Sequence, residues 1–117
     1  MDRDELRKRT KSFALRVIRV VASLPRGRFG DVIGRQLLKS GTSIGANYRE
    51  SLRASSRKHF LSIMEIVVRE ADETLYWLEL LSESGNMKPS RLVNLIQECA
   101  ELRAIFAKTA KTARARK

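Results

Sequence analysis

The chain has 117 residues, enough for one domain and too few for two ordinary ones. With 43% hydrophobic and 32% charged residues it is not a disordered polar chain, and the single cysteine, Cys99, excludes an internal disulfide. No apolar run approaches the roughly 20 residues that span a bilayer, and 24 Lys/Arg against 13 Asp/Glu give a net charge of +11.

Residues 4–24 read as a first helix, with Leu6, Phe13, Val17, Val20 and Leu24 on one face at helical spacing. Pro25 ends it, and Arg26-Gly27-Arg28-Phe29-Gly30 reads as a loop. Asp31 is a plausible N-cap for a second helix running to about Ala54, with Ile33, Leu37, Ile44 and Tyr48 turned inward. Gly41 and Gly45 each weaken that helix by up to about 1 kcal/mol relative to Ala, so close packing or a bend would account for them. Ser55 or Ser56 can cap a third helix, about Arg57 to Ser84, carrying Phe60, Met64, Val67, Ala71, Leu75 and Leu78. Gly85-Asn86 stops it. Lys88-Pro89-Ser90 leads into a fourth helix lined by Leu92, Leu95, Ile96, Cys99, Leu102 and Phe106.

Short connections make successive helices antiparallel neighbours, so the expected fold is all-α, an up-down-up-down four-helix bundle over residues 1–107. Residues 108–117 lose the large apolar side chains and read as a flexible basic tail.

The charge is segregated. Residues 1–58 hold 15 Lys/Arg and 5 Asp/Glu, residues 59–107 hold 4 and 8, and residues 108–117 hold 5 and none. The candidate nucleic-acid-binding residues are therefore Arg7, Lys8, Lys11, Arg16 and Arg19 on helix one; Arg49, Arg53, Arg57 and Lys58 around the turn into helix three; and Lys108, Lys111, Arg114, Arg116 and Lys117 in the tail. A charge run can be no more than a solvated face, but segregation at this net charge favours nucleic acid. Phe29, Tyr48 and Tyr76 are the aromatics left to stack on bases, so shape and backbone recognition is expected.

Helices one and three carry more apolar residues than one core face requires. Leu15, Ile18 and Ala22 flank the first stripe; Ile66, Trp77 and Leu80, beside Glu70 and Glu73, flank the third. They either widen the core or form a subunit interface, and Trp at such a position favours the interface. Ser40, Asn47 and Ser51 share the inner face of helix two; Glu50 or Glu73 can partner the Asn47 amide in a buried polar network that sets helix register.

Enzyme chemistry finds little to work with. His59 is the only histidine and no Cys/His cluster exists, so no metal or other cofactor is expected. Cys99 lies on an apolar stripe, as a buried inert thiol would. The N-terminal Met1-Asp2-Arg3-Asp4-Glu5 lacks the apolar core of a signal peptide, which makes the cytoplasm the expected compartment. Membrane-surface binding is disfavoured, because helix one needs its apolar face for the core.

Ser43-Ile44-Gly45-Ala46-Asn47-Tyr48-Arg49-Glu50 resembles the Ser-Ile-x-x-Asn-x-x-Glu motif of four-helix-bundle proteins related to the 23S rRNA intervening-sequence protein. Phe13-Ala14-x-x-Val17 running into Leu24-Pro25, Gln36-Leu37-x-x-Ser40, and Glu70 to Leu78 fit the same S23-like family, in order, over roughly residues 10–107. Many members have Gly after the motif glutamate, where this chain has Ser51. The resemblance implies ring-like homopentamers and kinship with the accessory variability protein of diversity-generating retroelements, a basic pentamer that binds nucleic acid and a reverse transcriptase. The expectation is thus a non-catalytic, homo-oligomeric accessory protein that binds RNA or DNA. The alternative is an interaction scaffold that docks a nucleic-acid enzyme such as a reverse transcriptase.

Overall fold

The structure, a computed structural model, describes residues 1–116. Four helices, α1 (Arg3–Ala22), α2 (Arg28–Ser51), α3 (Arg57–Glu83) and α4 (Val93–Ala115), account for nearly all of them, with one 3₁₀ turn at Pro89–Arg91 and no strand among the described residues. The helices pack in chain order, α1 on α2, α2 on α3 and α3 on α4, and α1 meets α4 only lightly. The resulting rod measures 48 × 22 × 21 Å. No helix among the described residues is long and apolar enough to cross a membrane.

The first three helix starts have local causes. Asp2 caps α1 by accepting from the Glu5 amide at 2.8 Å, and that hydrogen bond holds its carboxyl below the usual range. Ser56 caps α3 by accepting from the His59 amide at 3.0 Å. Helix α2 starts earlier than its sequence suggests. The cap position is Gly27, at φ +143°, which only glycine adopts readily. Asp31 therefore lies inside the first turn, where its amide donates to the Gly27 carbonyl at 2.9 Å and its charge suits the helix N-terminus.

Helix α2 ends at Ser51, whose buried hydroxyl donates to the Tyr48 carbonyl at 2.6 Å, before the chain tightens through Leu52 to Ala54. The expectation of a frayed tail beyond residue 107 is corrected, because α4 continues to Ala115. Strong helix formers carry it: Ala107, Ala110, Ala113 and Ala115 interleave with Lys and Arg. Ala110 is 3% exposed, and Arg114 Nη2 reaches Glu65 Oε2 on α3 at 3.2 Å. Lys117 lies outside the described residues.

One apolar core runs the length of the rod, built from Phe13, Val17, Leu37, Ile44, Met64, Val67, Leu78, Leu102 and Phe106 among others. Tyr48 belongs to it, 5.2 Å ring to ring from Phe106. On α3 the buried positions include Thr74 and Leu81, while Leu75 is half-buried. Gly41 and Gly45 explain themselves at the α1–α2 crossing. A Cβ on Gly41 would sit 2.9 Å from both Val17 methyls, and one on Gly45 would sit 3.1 Å from Thr10 Oγ1. Their missing side chains let two helices approach closely.

The lightly packed α1–α4 pair is held by Arg9. Its guanidinium donates twice to Glu98, at 2.7 Å each, and once to Glu101 at 2.9 Å. These bonds raise its pKa further, so it stays charged.

Candidate nucleic-acid interface

Antiparallel topology places the start of α1, the end of α2, the start of α3 and the end of α4 at the same end of the rod. Most of the candidate cations lie there. Arg7, Lys8 and Lys11 come from α1, Arg49 and Arg53 from α2 and its C-terminal turn, Arg57 and Lys58 from α3, and Lys108, Lys111, Arg114 and Arg116 from α4 and its end. Residues more than 100 positions apart in the chain thereby share one surface, and all eleven side chains are exposed.

Two adjoining depressions follow the α1–α2 seam at this end and share Arg49. The outer one, about 380 Å³, is lined by Arg7, Arg49, Leu52 and Arg53. The inner one, about 240 Å³, is lined by Thr10, Lys11, Ala14, Thr42, Gly45, Ala46 and Arg49. The small residues that let α1 approach α2 also leave the seam shallow, so an extended polyanion could reach the cations on both sides. Arg7 and Lys8 each approach Asp4, at 3.5 and 3.9 Å, but these pairs are solvent-exposed and restrain the side chains weakly.

Not every candidate joins this surface. Arg19 lies farther along the exposed face of α1, and Arg16 is half-buried. Arg16 sits two turns along from Arg9, on the flank of α1 that turns toward α4. Arg114 belongs to the end but is tied to Glu65. Of the aromatics expected to be free, Tyr48 is 4% exposed and committed to the core. Phe29 and Tyr76 are exposed, but neither lies at the cationic end.

The expected polar network of Ser40, Asn47, Glu50 and Glu73 does not form as such. Ser40 is buried, and its partner is the Thr74 hydroxyl, 2.9 Å away across the α2–α3 crossing. Thr74 also lies 2.7 Å from the Glu70 carbonyl. Asn47 is half-buried and donates to the Ser43 carbonyl of its own helix at 2.8 Å. Glu50 and Glu73 are exposed, where water solvates them at no cost. The sequence signal for the true partner was the place of Thr74 on the helical stripe of Ala71 and Leu78.

The candidate interface residues divide by helix. Leu15 and Ile18 are each 43% exposed on α1. Ile66, Trp77 and Leu80 are half-buried, with Trp77 and Leu80 packed against the edge of the core. Tyr76 lies edge-on to Trp77 at 5.1 Å and is 55% exposed. Glu70, beside this stripe, has its carboxyl pushed up by burial and by neighbouring Glu73.

The groups considered for catalysis have structural surroundings. Cys99 is buried, its thiol donates to the Ala71 carbonyl at 3.4 Å, and burial pushes its pKa up to about 12. His59 Nδ1 accepts from the Ser55 amide at 3.1 Å at the start of α3. Among the described residues no group of three or more His, Cys, Asp or Glu could hold a metal ion.

A helical rod with a glycine-lined α1–α2 crossing and one cationic end defines a class of small basic helical-bundle proteins. Residues 4–108 match the family model of the 23S rRNA-intervening sequence protein, and the chain belongs to that family. It is also similar to a crystal structure from Bacteroides thetaiotaomicron VPI-5482, a protein with unknown function from the S23 ribosomal protein family. The two share 32% sequence identity at a TM-score of 0.86, over 95% of this chain and 99% of that one. Comparison with curated proteins gave no match.

Proposed function

We propose that this is a non-catalytic, homo-oligomeric accessory protein of the cytoplasm that binds RNA or DNA through the phosphate backbone. The observation that carries this reading is the gathering of eleven exposed cations from all four helices at one end of the rod, with Arg7, Lys11, Arg49 and Arg53 around the α1–α2 seam. Backbone contact requires clustered Lys and Arg with room for a polyanion, and it supplies affinity without sequence preference. The buried Cys99 and the structural His59 support a role without catalysis.

Self-association rests on two flanks. The exposed Leu15 and Ile18 lie on the basic helix α1, and the half-buried Ile66, Trp77 and Leu80 lie beside Glu70 and Glu73 on α3. Joining the α1 flank of one copy to the α3 flank of the next would pair opposite charges and repeat head to tail, as a closed ring requires. A homopentamer is the ring we favour, and it would multiply the cationic ends.

Titrating labelled structured RNA and duplex DNA at two salt concentrations tests the binding claim. Binding at low salt that weakens steeply with added salt is expected; no binding at low salt refutes it. Light scattering tests assembly separately. A sharp monomer mass at high concentration overturns it, and Leu15→Glu with Ile18→Glu is expected to lower the assembly mass without loss of helicity.

A further inference from the structure

A third cavity at the cationic end differs in chemistry from the α1–α2 seam. It lies among the starts of α1 and α3 and the last turns of α4, about 490 Å³ in volume, within the ~300–1,000 Å³ range of small-ligand pockets. Leu6, Phe60, Ile105 and Ala113 give it apolar walls, Thr109 and Thr112 add hydroxyls, and Arg57, Lys108 and Arg116 stand among its lining residues. No carboxylate is among the lining residues described. The Thr109 hydroxyl donates to the Ile105 carbonyl at 3.0 Å, which leaves its oxygen able to accept. A second depression, about 750 Å³, adjoins it on α4 and shares Lys108, Thr112 and Arg116, adding Lys111. A cationic path therefore leads out of the cavity along the last turns of α4.

We propose that this cavity takes an unstacked base of a single-stranded nucleic acid, with Arg57, Lys108 and Arg116 holding the flanking phosphates. The apolar walls would shield the base faces, and the threonine hydroxyls could meet a polar edge. Several separated cations around one apolar cavity suit a chain of phosphates; a single acyl carboxylate would occupy only one. A stacked duplex presents no free base, so the cavity would make the protein prefer single strands, which backbone contact alone would not do. The proposal rests on the nucleic-acid reading above and adds the form of nucleic acid to it.

The test compares, by fluorescence anisotropy on the full chain, a labelled 12-nucleotide single strand, the same backbone with abasic sites throughout, and the matching duplex. Wild type is expected to bind the base-bearing strand about tenfold more tightly than the abasic one, a difference of the size one stacked base contributes. Thr112→Leu, at an exposed position, narrows the cavity mouth without adding an aromatic face and is expected to bring the base-bearing strand toward the abasic level. Arg49→Glu, on the α1–α2 seam, is expected to weaken both strands by the same factor. Phe60→Ala serves as a second cavity variant wherever circular dichroism shows it folded. Equal binding of base-bearing and abasic strands by wild type overturns the cavity proposal and leaves backbone binding standing. An unchanged preference in Thr112→Leu also overturns it. Failure of every strand to bind at low salt removes both readings.

Discussion

Replacing Gly41 with alanine sets two opposing effects against each other. In an unhindered helix interior, Gly→Ala stabilises by about 1 kcal/mol, because alanine loses less backbone freedom on folding. At position 41 the new methyl would lie 2.9 Å from both Val17 methyls and 3.3 Å from Val17 Cβ. Valine is branched at Cβ, so turning it about χ1 still leaves a methyl facing the intruder. Relief requires α1 to shift away from α2, and overpacking of this kind costs about 1–3 kcal/mol. The net effect is a loss of up to about 2 kcal/mol.

Gly34 is the internal control on the same helix. A Cβ there would meet Leu24 Cδ1 at 3.3 Å and Val21 Cγ1 at 3.4 Å, contacts that a leucine tip can yield. Gly34→Ala should therefore be neutral or stabilising by up to about 1 kcal/mol. Thermal and urea unfolding followed by circular dichroism should place Gly41→Ala below wild type and Gly34→Ala at or above it. The separation between the two variants should be up to about 3 kcal/mol, or on the order of 4 °C per kcal/mol. Adding Val17→Ala to Gly41→Ala should recover part of the strain as a favourable coupling. If Gly41→Ala is as stable as Gly34→Ala, steric closeness is not the reason for the glycine.

Three further outcomes follow from the geometry. Arg9→Met leaves Glu98, with its side chain 18% exposed, without its bidentate partner. It should cost about 1–3 kcal/mol, between exposed and buried pairs, and a double-mutant cycle with Glu98→Gln should recover most of the coupling. The Cys99 thiol, pushed up to about 12 from an unfolded value of 9.0, is protonated in the fold through a range where the unfolded chain ionises. Its contribution to stability is complete below about pH 9 and is lost as pH rises toward 12. Stability should therefore fall more steeply above pH 9 in wild type than in Cys99→Ala, and native protein should resist thiol alkylation that the unfolded chain undergoes readily. Lys11→Glu and Arg49→Glu should each weaken nucleic-acid binding across sequences, and neutralising either cation should lower the salt slope by about one contact. An unchanged slope would remove that residue from the interface.

The helices were legible because their periodic stripes are long: Phe13 and Val17, Leu37 and Ile44, Met64 and Val67, and Leu102 and Phe106 all lie buried as their spacing implies. The errors fell where a local signal competed with context. Asp31 looks like a cap, but Gly27 can take the positive φ that lets α2 start a turn sooner. The tail reads as flexible because its large apolar residues vanish, yet alanine sustains the helix and Ala110 still reaches the core. Asn47 falls between the core and solvent-facing sides of α2, and a 100° wheel does not decide whether its amide meets a neighbour or its own helix. Thr74 was missed because threonine reads as polar, although its hydroxyl is satisfied by Ser40 and by a backbone carbonyl.

The site shows why sequence alone carried the charge but not its shape. Blocks of basic residues at 1–58 and 108–117 look like two separate features of the chain. An even number of antiparallel helices brings the first and last helices to the same end, and the turn from α2 to α3 falls there as well. Chain order then makes one surface from three segments, with the acidic run of α3 extending away from it along the rod. The light packing of α1 against α4 leaves one fastening near this end, Arg9 with its two glutamates, and the cavity opens beyond that clamp toward the helix ends. A polyanion occupying the end would bridge cations of α1 and α4 beyond the clamp. The α1–α4 pair should therefore be the part of the fold that binding stabilises most.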